Sequence, residues 1–182
     1  MFPPTAHAFE LRRALAAELP EIMAVDDEAG VLFTAVGLMF PPAAEQLSER
    51  PEHARWARAI EAGRIQVAVA DDGTLAGFAA LALVDGDPYL DQLSVRPACM
   101  CRSIGARLVR HAIAWACDLG RPLWLTTYAH VPWNRPYYER FGFRTRALGS
   151  VGSELRAIVE SQREVLPAPE QRVAMVHDLT AT

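Results

Sequence analysis

Three predicted strands follow one another in the middle of the chain with only tight turns between them. Apolar runs typical of strands cover residues 65–70 and 75–84, and an Asp-Gly turn signal ending at Gly73 separates them, as in a β-hairpin. A third pattern over residues 89–95 follows a second turn. The next segment, residues 104–119, has apolar side chains at helical spacing. This part of the chain is therefore predicted to form an antiparallel meander with a helix covering one of its faces.

Shorter patterns on both sides of the meander extend the same alternation of strands and helices. Mixed elements of this kind in 182 residues predict a single α/β (α+β) domain over residues 1–182. Its central sheet should be mixed and mostly antiparallel, with helices flanking it, and Pro20 should lie in the first turn of the first helix. The further elements are strands at 9–11, 123–127, 141–148 and 172–179, and helices at 14–33, 51–62, 137–140 and 153–165.

Composition excludes several classes of protein. With 51% hydrophobic and 22% charged residues the chain can fill a core, which excludes disordered and collagen-like chains. A formal net charge of -4 provides no excess positive field for nucleic acid. The longest uncharged stretch, residues 29–44, is short and contains prolines, and charges near the N-terminus argue against a signal peptide. We therefore expect a cytoplasmic protein with neither a nucleic acid nor a membrane as partner.

The three cysteines, Cys99, Cys101 and Cys117, are too few for a disulfide framework and for a four-thiolate zinc site. We interpret them as reduced thiols and predict no metal. Cys99 and Cys101 leave one alternative open, because arginines and a helix N-terminus near them can lower a thiol pKa. That alternative is a redox protein.

Residues 89–108 combine a strand, a proline-containing turn and a helix that opens on Ser103 and Gly105. The first turn of a helix has N–H groups without internal partners, and the helix dipole attracts negative charge. The segment is a candidate pyrophosphate cradle. The other interpretation is that Ser103 caps the helix and Gly105 allows close packing.

A second segment, residues 131–143, places Asn134 before a short helix with Tyr137 and Tyr138. A tyrosine hydroxyl, with a pKa of about 10, can protonate a departing thiolate whose thiol has a pKa of about 8.5. The alternative is that both tyrosines are core aromatics.

Together the two segments resemble the GCN5-related N-acetyltransferase superfamily. The resemblance depends on LDQLSVRP before the loop, RSIGARLV across it and NRPYYERFGF after it. The family loop is usually Q/R-x-x-G-x-G/A. Here it runs from Met100 to Gly105 and matches only at its last glycine, with Ser103 in place of the other. The resemblance implies an acetyl-CoA donor, or another acyl-CoA, bound by a weakened loop.

The resemblance also implies residue roles. Tyr138 would be the general acid toward the leaving thiolate, and Asp91 the general base, unless Asp91 is only a solvated strand residue. Asn134 would bind the thioester-side arm of the cofactor. The remaining cofactor contacts would come from Leu93, Ser94 and Val95 on the strand and from Met100, Cys101, Arg102, Ser103, Ile104, Gly105 and Ala106 in the loop.

The acceptor side would be lined by Asp26, Phe33, Tyr128 and Trp133, although charged helix faces are often simply solvated. The leading hypothesis is acetyl transfer to a primary amine of a small molecule or peptide, by direct attack in a ternary complex. A catalytically weak sensor that binds acyl-CoA or another small ligand is the alternative, and exposed apolar positions would suit a homodimer.

Overall fold

A computed structural model describes residues 9–179, in which seven strands form one sheet in the order β1-β2-β3-β4-β5-β7-β6. Strands β4 and β5 pair in parallel, and every other neighbouring pair is antiparallel. The predicted mixed, mostly antiparallel sheet is confirmed. The strands are β1 (Phe9–Arg13), β2 (Ile65–Ala70), β3 (Leu75–Val84), β4 (Asp87–Val95), β5 (Leu123–Tyr128), β6 (Arg144–Arg146) and β7 (Arg172–His177).

Helices cover both faces of the sheet. Helices α1 and α2 pack on one face around the buried side chains of Trp56 and Phe78, and α5 packs beside them against β4 and β7. Helix α3 covers the other face, and side chains of α4 pack against the same core. The helices are α1 (Leu19–Gly30), α2 (Pro51–Glu61), α3 (Ile104–Asp118), α4 (Arg135–Glu139) and α5 (Ser153–Val165). None of the helices in residues 9–179 is long and apolar enough to cross a membrane.

Two predicted elements differ from the structure. The helix expected over residues 14–33 is regular only in α1, with 3-10 turns at Ala16–Glu18 and Val31–Val36 on either side, although Pro20 does lie in its first turn. The strand expected over residues 141–148 shrinks to β6, because Gly142 turns the chain at φ +87° and Phe143 is buried in the α3-side core.

The pairing of β4 with β5 stops early and leaves a wedge in the sheet. Only Tyr89 with Trp124 and Leu90 with Leu125 are in register, so the edge of β4 from Asp91 to Val95 has no strand neighbour on that side among residues 9–179. The register of β4 against β3 also shifts at this point, because Ala80 pairs with Gln92 while Leu81 pairs with Leu90. Asp91 is therefore the extra residue of a β-bulge at the head of the wedge.

Candidate active site

The turn before α3 presents a row of free backbone donors. Arg107 N is the first amide of this helix with an internal partner, donating to Ser103 O at 3.0 Å, and the N–H groups from Cys101 to Ala106 have no acceptor among the described residues. The side chains of Cys101, Arg102 and Ser103 are exposed, as is that of Met100, whereas Ile104 is buried and can contribute only its backbone. These donors, with the helix dipole behind them, fit an anionic pyrophosphate.

Two residues of this turn have a backbone conformation that favours glycine. Cys101 and Ser103 both have φ of +61°. Ser103 stands where the family loop has a glycine, and it has a left-handed backbone conformation that glycine adopts without the strain of a Cβ atom. An L-residue adopts this conformation at a cost of about 1–2 kcal/mol.

Tyr138 lies on α4, directly after the turn at Asn134. The backbone carbonyl of Asn134 accepts hydrogen bonds from Tyr137 N at 2.9 Å and Tyr138 N at 3.1 Å. The Tyr138 ring packs against Phe143, with centroids 5.7 Å apart, and its hydroxyl has no hydrogen-bond partner within residues 9–179. Burial raises the pKa of Tyr138, so the hydroxyl keeps its proton at neutral pH.

The bulge in β4 directs Asp91 toward α2. Its Oδ2 accepts hydrogen bonds from Arg55 Nε at 2.8 Å and Trp56 Nε1 at 3.1 Å, and its side chain is only 15% exposed. These two donors fix the orientation of the carboxylate and occupy one oxygen. Oδ1 has no partner in the described part of the chain and remains available to accept a proton.

Asp26 reaches β4 from α1. Its Oδ1 accepts hydrogen bonds from Ser94 Oγ at 2.6 Å and Gln92 Nε2 at 2.7 Å. Burial raises the pKa of Asp26 to about 6, and no cation pairs with it in residues 9–179. By contrast Asp27 is bound by Arg50 at 2.8 Å and Glu28 by Arg96. Of these three neighbouring acids on α1, Asp26 is the one without a cation partner.

The other predicted acceptor residues form an aromatic cluster. The ring of Phe33 lies 6.0 Å from the rings of Tyr128 and Trp133 and 5.3 Å from Phe40. The structure thus brings Phe33, Tyr128 and Trp133 into one cluster, while the observed contacts of Asp26 are to β4 and not to this cluster.

Sequence reasoning overlooked several residues around these side chains. Gln92 could not be identified from the sequence as a partner of Asp26. Neighbouring strand residues normally face opposite sides of a sheet, and it is the bulge that turns Gln92 to the same face as Asp91. Arg55 and Trp56 belong to a helix far away in sequence. Arg172 was included in the last strand without any role, although it is a buried arginine beside Tyr128.

The cysteines have no disulfide among the described residues. Cys99 packs partly against the α3-side core, whereas Cys101 and Cys117 are exposed. Across residues 9–179 no cluster of three or more His, Cys, Asp or Glu side chains is arranged to hold a metal ion.

Comparison with known proteins shows which fold and family share this arrangement. Residues 33–143 match the family model described as acetyltransferase (GNAT) family. A GNAT-family acetyltransferase structure from Staphylococcus aureus is similar, with TM-score 0.70, 15% identity, and coverage of 95% of this chain and 100% of that one. A Mycobacterium tuberculosis protein in complex with CoA is similar at TM-score 0.68 and 17% identity, over 94% and 99% of the two chains.

A third similar structure is N-acetylglutamate synthase from Neisseria gonorrhoeae, complexed with coenzyme A and N-acetyl-glutamate. Its TM-score is 0.67 at 19% identity over 96% of this chain. The chain spans only 36% of that protein. The shared part therefore corresponds to one region of a longer protein.

Proposed function

Because the chain belongs to the acetyltransferase (GNAT) family and uses an acyl-CoA donor, we propose that it transfers the acetyl group of acetyl-CoA to the primary amine of a small molecule. The amine attacks the thioester directly, within a ternary complex. The observation that carries this proposal is the row of unpaired N–H groups from Cys101 to Ala106 beside the open edge of β4.

The open edge of β4 offers donors for the pantetheine arm. Arg96 N donates to Ala76 O of β3 at 2.9 Å. Backbone donors alternate sides along a strand. The N–H groups of Leu93 and Val95 should therefore point away from β3 into the wedge. By the same alternation the N–H of Ser94 points toward β3, and its side chain donates to Asp26, so the role predicted for Ser94 at this edge is not expected.

The donor supplies an activated acetyl thioester when bound, and the chain's own residues manage the protons. Tyr138 donates its proton to the departing thiolate sulfur. Asn134, at the start of α4, orients the thioester-side arm through its side-chain amide. The feature that supports this role is the Tyr138 hydroxyl itself, which carries a proton and has no hydrogen-bond partner within residues 9–179.

Asp91 accepts the proton that the attacking amine loses, through Oδ1 and a bridging water. An alkylammonium with a pKa of about 10.4 must be deprotonated before attack, at a cost of about 4.6 kcal/mol at pH 7. A fixed carboxylate at the head of the wedge gives the released proton an acceptor as the amine attacks. Asp26, without a cation partner, attracts the ammonium group to the same face of the sheet.

A catalytically weak sensor remains the second candidate, and the cradle itself favours it. Met100 gives no polar group where the family has Gln or Arg, and Ser103 holds a glycine-like φ with a side chain attached. Weak donor binding with no turnover is the behaviour this candidate predicts.

We also propose a homodimer, because the apolar side chains of Val31 and Met39 are 64% and 71% exposed. Sedimentation equilibrium tests it.

The decisive experiment combines donor binding with turnover. Isothermal titration with acetyl-CoA, with ATP as a control for simple anion binding, measures the cradle. Thiol release in the presence of amines measures catalysis. Tyr138→Phe should reduce kcat at least tenfold and leave acetyl-CoA affinity unchanged, and Phe141→Leu is the matched control on the same segment. An unchanged kcat in Tyr138→Phe removes this residue from the mechanism, and selective binding without any turnover favours the sensor.

A further inference from the structure

Arg172, the first residue of β7, is a buried cation whose hydrogen-bond partners are all neutral. It is 7% exposed. Its Nε and Nη2 donate to Gln162 Oε1 at 3.2 and 2.7 Å, and Nη2 also donates to Thr126 Oγ1 at 3.1 Å. The guanidinium carbon lies 4.7 Å from the centre of the Tyr128 ring. No carboxylate of residues 9–179 forms an ion pair with it.

Such an arrangement is unusual for a purely structural arginine. Charges removed from water are normally paired with an opposite charge. Here burial lowers the pKa of Arg172 because desolvation disfavours the charged form, and none of the residues 9–179 pairs a carboxylate with it. A ligand anion would supply the missing charge.

One nitrogen of the guanidinium is open to receive that anion. Nη1 makes no hydrogen bond to residues 9–179. Nη1 is not fully buried either. In this part of the chain the fully buried side-chain nitrogen and oxygen atoms without a hydrogen-bond partner are Nε of Arg135 and Nε of Arg163, and Nη1 is not one of them. The exposed fraction of Arg172 therefore includes Nη1. Its two N–H donors are available to an incoming group.

Arg172 also stands at the place where the reaction would occur. Thr126, which it contacts, is the first residue of β5 beyond the last pair with β4. The Thr126 hydroxyl lies 3.0 Å from the hydroxyl of Tyr89, two residues before Asp91 in β4. Tyr128, under the guanidinium, belongs to the aromatic cluster described above. The cation thus lies at the head of the wedge, on the side opposite to α3.

We propose that Arg172 binds a carboxylate of the acceptor, so that the substrate is an amino acid or a similar small molecule carrying both an amine and a carboxylate. This inference rests on the proposed acetyl transfer and specifies its substrate class. Arginine suits the task because its charge persists and its planar donors match a carboxylate. Gln162, Thr126 and the Tyr128 ring hold the guanidinium in place, so that the unpaired Nη1 can bind an anion with little loss of conformational freedom.

The test uses matched pairs of acceptors with the full chain and acetyl-CoA. Each pair consists of an α-amino acid and its amide or decarboxylated amine, taken across the twenty common side chains. Phosphoethanolamine and ethanolamine form one additional pair that distinguishes a phosphate from a carboxylate. Thiol release gives kcat/KM for each member, and N-acetylated products are titrated as ligands by calorimetry.

The wild-type protein should prefer the carboxylate member of at least one pair by about 10- to 100-fold in kcat/KM, as expected for a hydrogen bond to a charged group. Arg172→Gln should abolish that preference mainly by raising KM. It should also weaken binding of the N-acetyl amino acid, with acetyl-CoA affinity unchanged. Arg156→Gln is the matched control, because Arg156 is an arginine of α5 that donates only to backbone carbonyls.

Three results would overturn the inference. They are equal or faster turnover of the carboxylate-free members, preference for the phosphate pair alone, and an undiminished preference in Arg172→Gln. The wild-type comparison decides the matter even if Arg172→Gln does not fold. Failure of the proposed acetyl transfer gives a different result. In that case acetyl-CoA does not bind, or neither member of any pair is acetylated, whereas binding of N-acetyl amino acids through Arg172 is still measurable.

Discussion

The hydroxyl oxygen of Tyr137 stands 2.7 Å from the position that a Cβ atom on Gly105 would occupy. Helix α4 therefore packs directly on the first turn of α3, at the proposed pyrophosphate cradle. The next nearest atom of Tyr137, Cζ, is 3.6 Å from that position, which is an ordinary contact. The absence of a side chain at Gly105 is required by one oxygen atom of a neighbouring helix.

Gly105→Ala should consequently destabilise the protein by about 1–3 kcal/mol, the usual cost of overpacking. Tyr137→Phe should remove most of that cost, because it deletes the clashing oxygen. Urea unfolding of the two single variants and the double variant measures the coupling. Calorimetric titration with acetyl-CoA shows whether these substitutions also change the affinity of the cradle for the donor. A cost for Gly105→Ala that is the same with Phe at position 137 would contradict this account.

Ser103→Gly should strengthen donor binding. Ser103 has φ of +61°, which glycine adopts without the steric cost of a Cβ atom, and the smaller residue lets phosphate oxygens approach the backbone. We expect a fall of about 3- to 10-fold in Kd for acetyl-CoA by titration calorimetry, equivalent to about 0.7–1.4 kcal/mol.

Ala168→Gly is the matched control for Ser103→Gly. Ala168 has φ of +50° and lies before β7, away from the cradle. It should gain or lose stability in the same way without changing acetyl-CoA affinity. If both variants bind acetyl-CoA as the parent does, the left-handed residue does not limit the cradle.

The sheet could be predicted from sequence because its signals are local. The apolar runs in residues 65–95 and the turns between them define β2 and β3 to the residue and β4 to within two residues. Residue 143 shows where such signals fail. Phe143 alternates as a strand residue would, but it is buried in the α3-side core through tertiary packing that no window of sequence contains.

The site was less predictable than the sheet, for the same physical reason. The family resemblance predicts the cradle and the role of Tyr138, because both belong to short continuous segments that carry the motifs. The bulge that turns Asp91 and Gln92 to one face depends on the register between β3 and β4. The environment of Arg172 depends on Gln162 and Thr126, which come from α5 and β5. Pairings between distant segments leave no local pattern.

Asp26→Asn should make the protein more stable at neutral pH. Burial raises the pKa of Asp26 from 3.8 to about 6, so the folded state binds a proton more tightly than the unfolded state does. The stability this proton contributes is full below about pH 4 and is lost as the pH rises through 6. At 1.36 kcal/mol per pH unit the loss is up to about 3 kcal/mol. An amide avoids it and keeps the oxygen that Ser94 and Gln92 bind.

Urea unfolding from pH 4 to 8 measures this difference. Asp26→Asn and the parent should have equal stability near pH 4, diverge between about pH 4 and 6, and keep a constant gap above that range. Asp118→Asn, an exposed carboxylate at the end of α3, is the control and should follow the parent throughout. A gain in Asp26→Asn that does not depend on pH would show that the effect is not electrostatic.

Asp85→Asn should weaken the attachment of α5 at neutral pH and have little effect in acid. Asp85, in the turn between β3 and β4, accepts hydrogen bonds from Glu154 N and Leu155 N at 2.9 Å and so caps α5 from outside the helix. These backbone donors lower the pKa of Asp85. The stability from this carboxylate is therefore present above the unfolded pKa of about 3.9 and is lost as pH falls through the lower folded value.

Thermal unfolding should show a lower Tm for Asp85→Asn than for the parent at pH 7, and a difference in Tm that narrows below pH 4. Glu164→Gln, on an exposed residue near the far end of α5, should leave the Tm unchanged at both pH values. A gap of constant size down to pH 2 would mean that shape, and not the charge of Asp85, provides the cap.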